Sequence, residues 1–111
     1  MYHAILDAVK TCVLPRNEFV LLFPVGTAIQ NARTSYLGDT LTRDGFHLSI
    51  PFGRYIAALT WGRVLTGKSV ENIDYAPMEI DERLKAIAIE SVENAIKNPF
   101  EVTQSIFTKA E

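Results

Sequence analysis

Phe19-Val20-Leu21-Leu22-Phe23 is the stretch on which the fold turns: five apolar residues in succession, bounded by Asn17-Glu18 before and Pro24-Val25-Gly26 after. The run is rich in strand formers and has no polar alternation. It reads as a strand covered on both faces, the usual situation in a parallel sheet with helices on either side. Its surroundings read as helical. Upstream, Ile5, Ala8, Val9 and Cys12 recur at helical spacing between Tyr2 and Val13, and Pro15 closes that helix. Cys12 then falls on the inward face as a core thiol, and as the single cysteine it has no partner for an internal disulfide. Downstream, Thr27 to Leu48 mixes small, polar and turn residues and reads as a long functional loop. A short helix around Ala28 to Arg33 and breakers at Gly38-Asp39 and Asp44-Gly45 interrupt it.

Beyond the loop, Ser49 is placed to cap a helix whose first turn tolerates Pro51 and whose body, Phe52 to Leu65, is apolar on most sides. That helix is expected to be buried, with Trp61 in the core, and Gly67-Lys68 stops it. Pro77 opens a third helix with Glu79, Asp81 and Glu82 in its early turns, where negative charge suits the dipole. Its apolar stripe is Leu84, Ile87, Ala88, Val92, Ala95 and Ile96, and Asn98-Pro99 ends it. The tail from Phe100 is weakly patterned. One strand and three helices leave a difficulty, because a strand's backbone groups must pair with neighbouring strands and the chain supplies none. Either the run is not a strand, or the chain is a piece of a larger α/β protein, or two copies associate through it. The second reading is preferred, with self-association through the exposed strand as its consequence in isolation.

Composition sets the outer limits. A chain of 111 residues, 48% hydrophobic and 22% charged, has room for one domain and the means to pack a core. Eleven basic and 13 acidic residues give a net charge of -2, so no global field attracts nucleic acid or an anionic membrane. The longest apolar run, Phe19 to Val25, is far shorter than the ~20 residues that cross a bilayer. Met1-Tyr2-His3-Ala4 lacks the basic start, apolar middle and small-residue cleavage site of a signal peptide, so export is not legible here. Residues 1–111 read as one unit, with strand, loop and buried helix in 1–67 and a further helix and tail in 68–111.

Two histidines are present, and neither has metal-ligand spacing, so no metal or other cofactor is expected. His3 lies on a solvated helix face. His47 stands three residues after Asp44 in Arg43-Asp44-Gly45-Phe46-His47-Leu48-Ser49, just before the buried helix. With Gly45 freeing the turn, the carboxylate can reach the imidazole and fix its tautomer, leaving the other ring nitrogen to take a proton from a hydroxyl nucleophile. The same spacing equally suits an ordinary turn in which Asp44 bonds local backbone N–H groups.

The run Asp44 to Ser49, followed by Gly53-Arg54-Tyr55-Ile56-Ala57-Ala58-Leu59-Thr60-Trp61, resembles the last block of SGNH/GDSL-type serine hydrolases, which carry the catalytic Asp and His as D-x-x-H near the C-terminus. Phe23 to Arg33 resembles the last core strand and following loop of an uncharacterised bacterial branch of that superfamily, so the likeness covers Tyr2 to Gly67. It implies the C-terminal part of a three-layer α/β/α fold, mostly helical in this chain, with one core parallel strand. It also implies His47 as general base and Asp44 as its orienter. No family role transfers to Gln30, Asn31 or Arg43, but their loops are expected on the active-site side, where polar groups contact substrate. The family's G-D-S block and the Gly and Asn of its oxyanion hole have no counterpart here. Ser35, Ser49, Ser69, Ser91 and Ser105 show no such setting. The resemblance therefore implies an esterase or acetylesterase in a longer parent, with an acylated carbohydrate as substrate and export of the parent, while the chain alone is inactive. The alternative from another class is a non-catalytic helical interaction module.

Overall fold

The computed structural model describes residues 1–110. Four α-helices form it: α1 (Tyr2–Ala8), which runs on into a π-helical stretch at Val9–Val13, α2 (Val25–Arg33), α3 (Phe52–Thr66) and α4 (Glu82–Lys97). Among the described residues there is no β-strand, only an isolated antiparallel bridge between Thr42 and Leu48. The expectation of an α/β fold with a core parallel strand at Phe19–Phe23 is therefore corrected to a small helical domain. The physical reason is the one the lone strand already posed. No second extended segment lies beside the run, so residues 19–22 pass over the surface, with Phe19, Val20 and Leu21 at 52%, 84% and 54% exposure. Self-association through an exposed strand loses its footing for the same reason.

The core is where α2, α3 and α4 meet. Ala28 and Ala32 of α2 and Ala88 and Ala95 of α4 are fully buried, and these small side chains let the two helices approach closely. Ile56, Ile87 and Val92 fill the space between, each wholly removed from solvent. Truncating any of them to Ala would cost on the order of 2–5 kcal/mol. The stripe expected on the last helix holds for Ile87, Ala88, Val92 and Ala95. That helix begins at Glu82, later than Pro77, because Pro77–Ile80 closes as a tight turn that buries Ile80. Asp81 then caps α4, its carboxylate accepting the Leu84 N–H at 2.8 Å.

α2 starts three residues before the short helix read from sequence, directly at Val25 after Pro24. α3 ends as expected at Gly67, which adopts a left-handed φ of 70°. Only one side of α3 is covered, however. Tyr55, Ile56, Leu59 and Thr60 face the core, while Trp61 is half exposed and stacks on Phe23 with ring centroids 4.3 Å apart. Cys12 is exposed as well, since α1 and its continuation bury no residue. Neither residue is the core residue the sequence suggested. The tail is more ordered than its composition indicated. Thr103 N–H donates to Asn31 Oδ1 at 2.7 Å, Ser105 N–H to Thr34 Oγ1 at 2.7 Å, and Tyr36 N–H to the Phe107 carbonyl at 2.8 Å.

Candidate active site

The loop from Leu41 to Ser49 folds back on itself as a narrow hairpin. Arg43 N–H donates to the His47 carbonyl and Ser49 N–H to the Leu41 carbonyl, both at 2.8 Å. At its tip Gly45 takes φ 97°, a conformation L side chains rarely adopt, and its N–H donates to Thr42 Oγ1 at 3.2 Å. The base of the hairpin is clamped to the first turn of α3. A Cβ on Gly53 would sit 2.7 Å from the Leu41 carbonyl oxygen, and the Gly53 N–H donates to Ser49 Oγ at 3.0 Å. Ser49, expected to cap α3, leaves the cap position to Pro51 and takes the Gly53 N–H from two residues further back.

Asp44 does both things its spacing allowed. Its Oδ1 accepts the backbone N–H groups of Phe46 and His47 at 3.1 and 2.8 Å, the ordinary turn. Its Oδ2 lies 2.6 Å from His47 Nδ1, the pairing of carboxylate and imidazole. The two bonds support each other, because the turn holds the carboxylate still and so fixes the ring. Bonding to the His47 side chain, and then to the His47 backbone N–H, holds the Asp44 carboxyl below the usual aspartate range. An ionised carboxylate at Nδ1 places the proton of neutral His47 on that nitrogen, which leaves Nε2 as the acceptor. Both side chains are about half exposed, so the pair is open to an approaching group. Phe46 packs against the imidazole with centroids 4.1 Å apart.

A cavity of about 510 Å³ reaches Asp44 but not His47, and is lined by Gln30, Arg33, Leu41, Arg43, Asp44 and Gly45 among others. Two of the three residues expected to face a substrate, Gln30 and Arg43, are therefore beside Asp44. Arg43 spends its Nε on the Leu48 carbonyl at 3.1 Å. Gln30 Oε1 accepts Arg33 Nη1 at 3.0 Å, and Arg33 also pairs with Asp39. Asn31 is elsewhere. It is 1% exposed, its amide donating to the Ser91 carbonyl at 3.1 Å while its oxygen accepts the Thr103 N–H. It ties α2 to α4 and the tail and does not reach the cavity. Arg33 and Asp39 join the cavity unforeseen, although the three-residue interval from Gln30 to Arg33 puts those two on one helix face.

None of the five serines hydrogen-bonds His47. Ser35 Oγ donates to the Ala32 carbonyl at 2.6 Å, Ser105 Oγ to Glu90 at 2.5 Å, and Ser69 Oγ accepts the Glu71 N–H at 3.1 Å. Ser91 is buried in α4 with its hydroxyl unpartnered. Among the described residues no cluster of His, Cys, Asp and Glu has the makings of a metal site. No helix there is long and apolar enough to cross a membrane.

The sequence profile of DUF4886, a domain of unknown function, matches residues 1–95. The chain belongs to the DUF4886 family. A DUF4886 family protein from Bacteroides uniformis, known from a crystal structure, is similar over 97% of this chain at 44% identity and a TM-score of 0.90. The shared region is only 41% of that protein's chain, so the present chain spans about two fifths of its length. No curated protein matches the chain.

Proposed function

We propose that Asp44 and His47 are the orienting acid and general base of an SGNH/GDSL-type serine esterase, and that the chain is the C-terminal part of that enzyme. The observation that carries this reading is the 2.6 Å approach of Asp44 Oδ2 to His47 Nδ1 on a hairpin clamped to α3. That arrangement leaves Nε2 free to take the proton of a serine hydroxyl as its oxygen attacks an ester carbonyl. Asp44 stabilises the imidazolium so formed. The imidazolium then protonates the departing alcohol, and in the second half-reaction Nε2 deprotonates the water that releases the acyl group. The nucleophile comes from chain outside these 111 residues, in keeping with a family member more than twice as long. By itself the chain lacks a serine at His47 and has no esterase activity.

The polar side chains Gln30, Arg33 and Arg43 of the cavity that reaches Asp44 support a hydroxyl-bearing substrate, and an acylated carbohydrate is the class proposed. The test is made in the longer protein with an acetylated oligosaccharide. His47→Ala should lower turnover by about 10³-fold or more with the fold unchanged, the usual consequence of losing the base of a triad. Near wild-type turnover would overturn the assignment. A fluorophosphonate should label the longer protein and not the present chain. An adduct on the present chain, abolished by His47→Ala, would place the nucleophile within it. Labelling of neither, with a compact monomer, would favour the non-catalytic interaction module.

A further inference from the structure

Four charged side chains line the cavity that reaches Asp44: Arg33, Asp39, Arg43 and Asp44 itself. Their charges sum to zero, so what distinguishes the site is which hydrogen-bonding groups are still open. Arg33 pairs with Asp39. Asp44 turns one oxygen to the His47 ring and the other to the N–H groups of Phe46 and His47. Among the described residues Arg43 has no carboxylate within ion-pair distance. Its Nε donates to the Leu48 carbonyl at 3.1 Å, which tethers the guanidinium at one corner and leaves both Nη groups uncommitted. Gln30 adds to this. Its Oε1 accepts Arg33 Nη1, so its NH2 remains an open donor. The groups left open at this wall of the cavity donate, and they call for an acceptor-rich partner.

The hairpin ties this wall to the imidazole. Arg43 stands across from His47, its backbone N–H donating to the His47 carbonyl at 2.8 Å. Residues opposed in this way carry their Cβ atoms about 4.5–5.5 Å apart. Arg43 therefore belongs both to the cavity and to the strip of hairpin that holds His47, although the cavity itself stops short of the ring. A group held by Arg43 is held next to the imidazole. The form of the donor says which group. A guanidinium with two free Nη groups offers a pair of parallel N–H bonds, and the two oxygens of a carboxylate match that fork where a hydroxyl does not.

We infer that Arg43 selects an ester substrate that carries a carboxylate, so that the acylated carbohydrate is an acidic sugar whose carboxylate lies on the two Nη groups of Arg43. The inference rests on the esterase reading of Asp44 and His47. Within that reading Arg43 acts in binding and takes no part in the proton transfers at Nε2.

The experiment uses an acetylated methyl glucuronoside and its uronamide, which differ only in the carboxylate. In the longer protein kcat/KM for the acid should exceed that for the amide by about 10-fold, through KM, a moderate factor because Arg43 is exposed to water. High salt should narrow the ratio, Arg43→Ala should bring it towards unity, and Arg43→Lys should restore part of it. The hairpin bond at Arg43 runs through the backbone, which both substitutions keep. Hydrolysis of the two sugars at equal kcat/KM, or a preference that survives Arg43→Ala, overturns the inference and leaves the esterase reading standing. If neither sugar is hydrolysed and no fluorophosphonate label is taken up, the esterase reading has failed, and binding decides the role of Arg43. In nitrogen NMR of the present chain, millimolar acid should shift the Arg43 side-chain signals and the amide should not. Equal shifts, or none with either sugar, overturn the inference as well.

Discussion

Glu93 holds the connection between α3 and α4, and removing its carboxylate should cost more than any exposed ion pair of this chain. Its side chain is 11% exposed. Oε2 accepts the Val70 N–H at 2.8 Å, and Oε1 lies 3.2 Å from Arg63 Nε, whose side chain is 23% exposed. Val70 is itself buried, so Glu93→Ala leaves its N–H without an acceptor, a loss of about 1–3 kcal/mol. The lost pairing with Arg63 adds about 1 kcal/mol, more than a surface pair because both partners are largely desolvated. The expected total is about 2–4 kcal/mol, or a fall in melting temperature on the order of 8–16 °C for a domain of this size. Arg63→Ala leaves the carboxylate still bonded to Val70, and about 1 kcal/mol is expected. The double variant should be close to Glu93→Ala alone, since Arg63 then has no partner to lose. Urea denaturation of the four proteins measures all three differences. If Glu93→Ala were no worse than Arg63→Ala, the bond to Val70 would not be what holds the connection, and the reasoning would fail.

Three other outcomes are expected. Gly53→Ala forces a methyl group to within 2.7 Å of the Leu41 carbonyl oxygen and should destabilise the chain by about 1–3 kcal/mol in urea, loosening the hairpin that carries Asp44; a neutral substitution would show that the hairpin is not clamped there. Asn31→Ala should cost about 1–3 kcal/mol by orphaning Thr103 N–H and the Ser91 carbonyl, while Arg43→Ala stays within about 0.5 kcal/mol, and equal costs would contradict their placement. Asp44 has its carboxyl held low by His47, so the stability this gives is present above the unfolded aspartate pKa and disappears as pH falls through the lower folded value. The stability gap between wild type and Asp44→Asn should therefore be flat near neutral pH and narrow in acid, and nitrogen NMR should find neutral His47 protonated at Nδ1; a gap that widens in acid, or an Nε2-protonated ring, would refute the pairing.

Periodicity made three of the helices legible. Leu84, Ile87, Ala88 and Val92 return every three or four residues, and that spacing leaves one face to bury whatever packs on it. Local chemistry was legible too, since the αL stop at Gly67 and the reach of Asp44 to His47 depend on residues within a turn of one another. The run Phe19–Phe23 was not, because whether five apolar residues become a strand depends on a second strand that only the whole fold supplies or withholds. Trp61 and Cys12 failed as core residues for a related reason. Helical spacing states which side chains share a face, and only packing decides whether a neighbour covers it. Asn31 looked like a loop residue on the substrate side, but the turn of α2 points it at α4 and the tail. The sequence by itself determined the bodies of the helices, the stop at Gly67 and the Asp44–His47 pair, all set by contacts short along the chain. Only the tertiary structure decided which apolar faces are covered, which polar side chains meet at the cavity and that Glu93 secures Val70, since those contacts join residues that are distant in sequence.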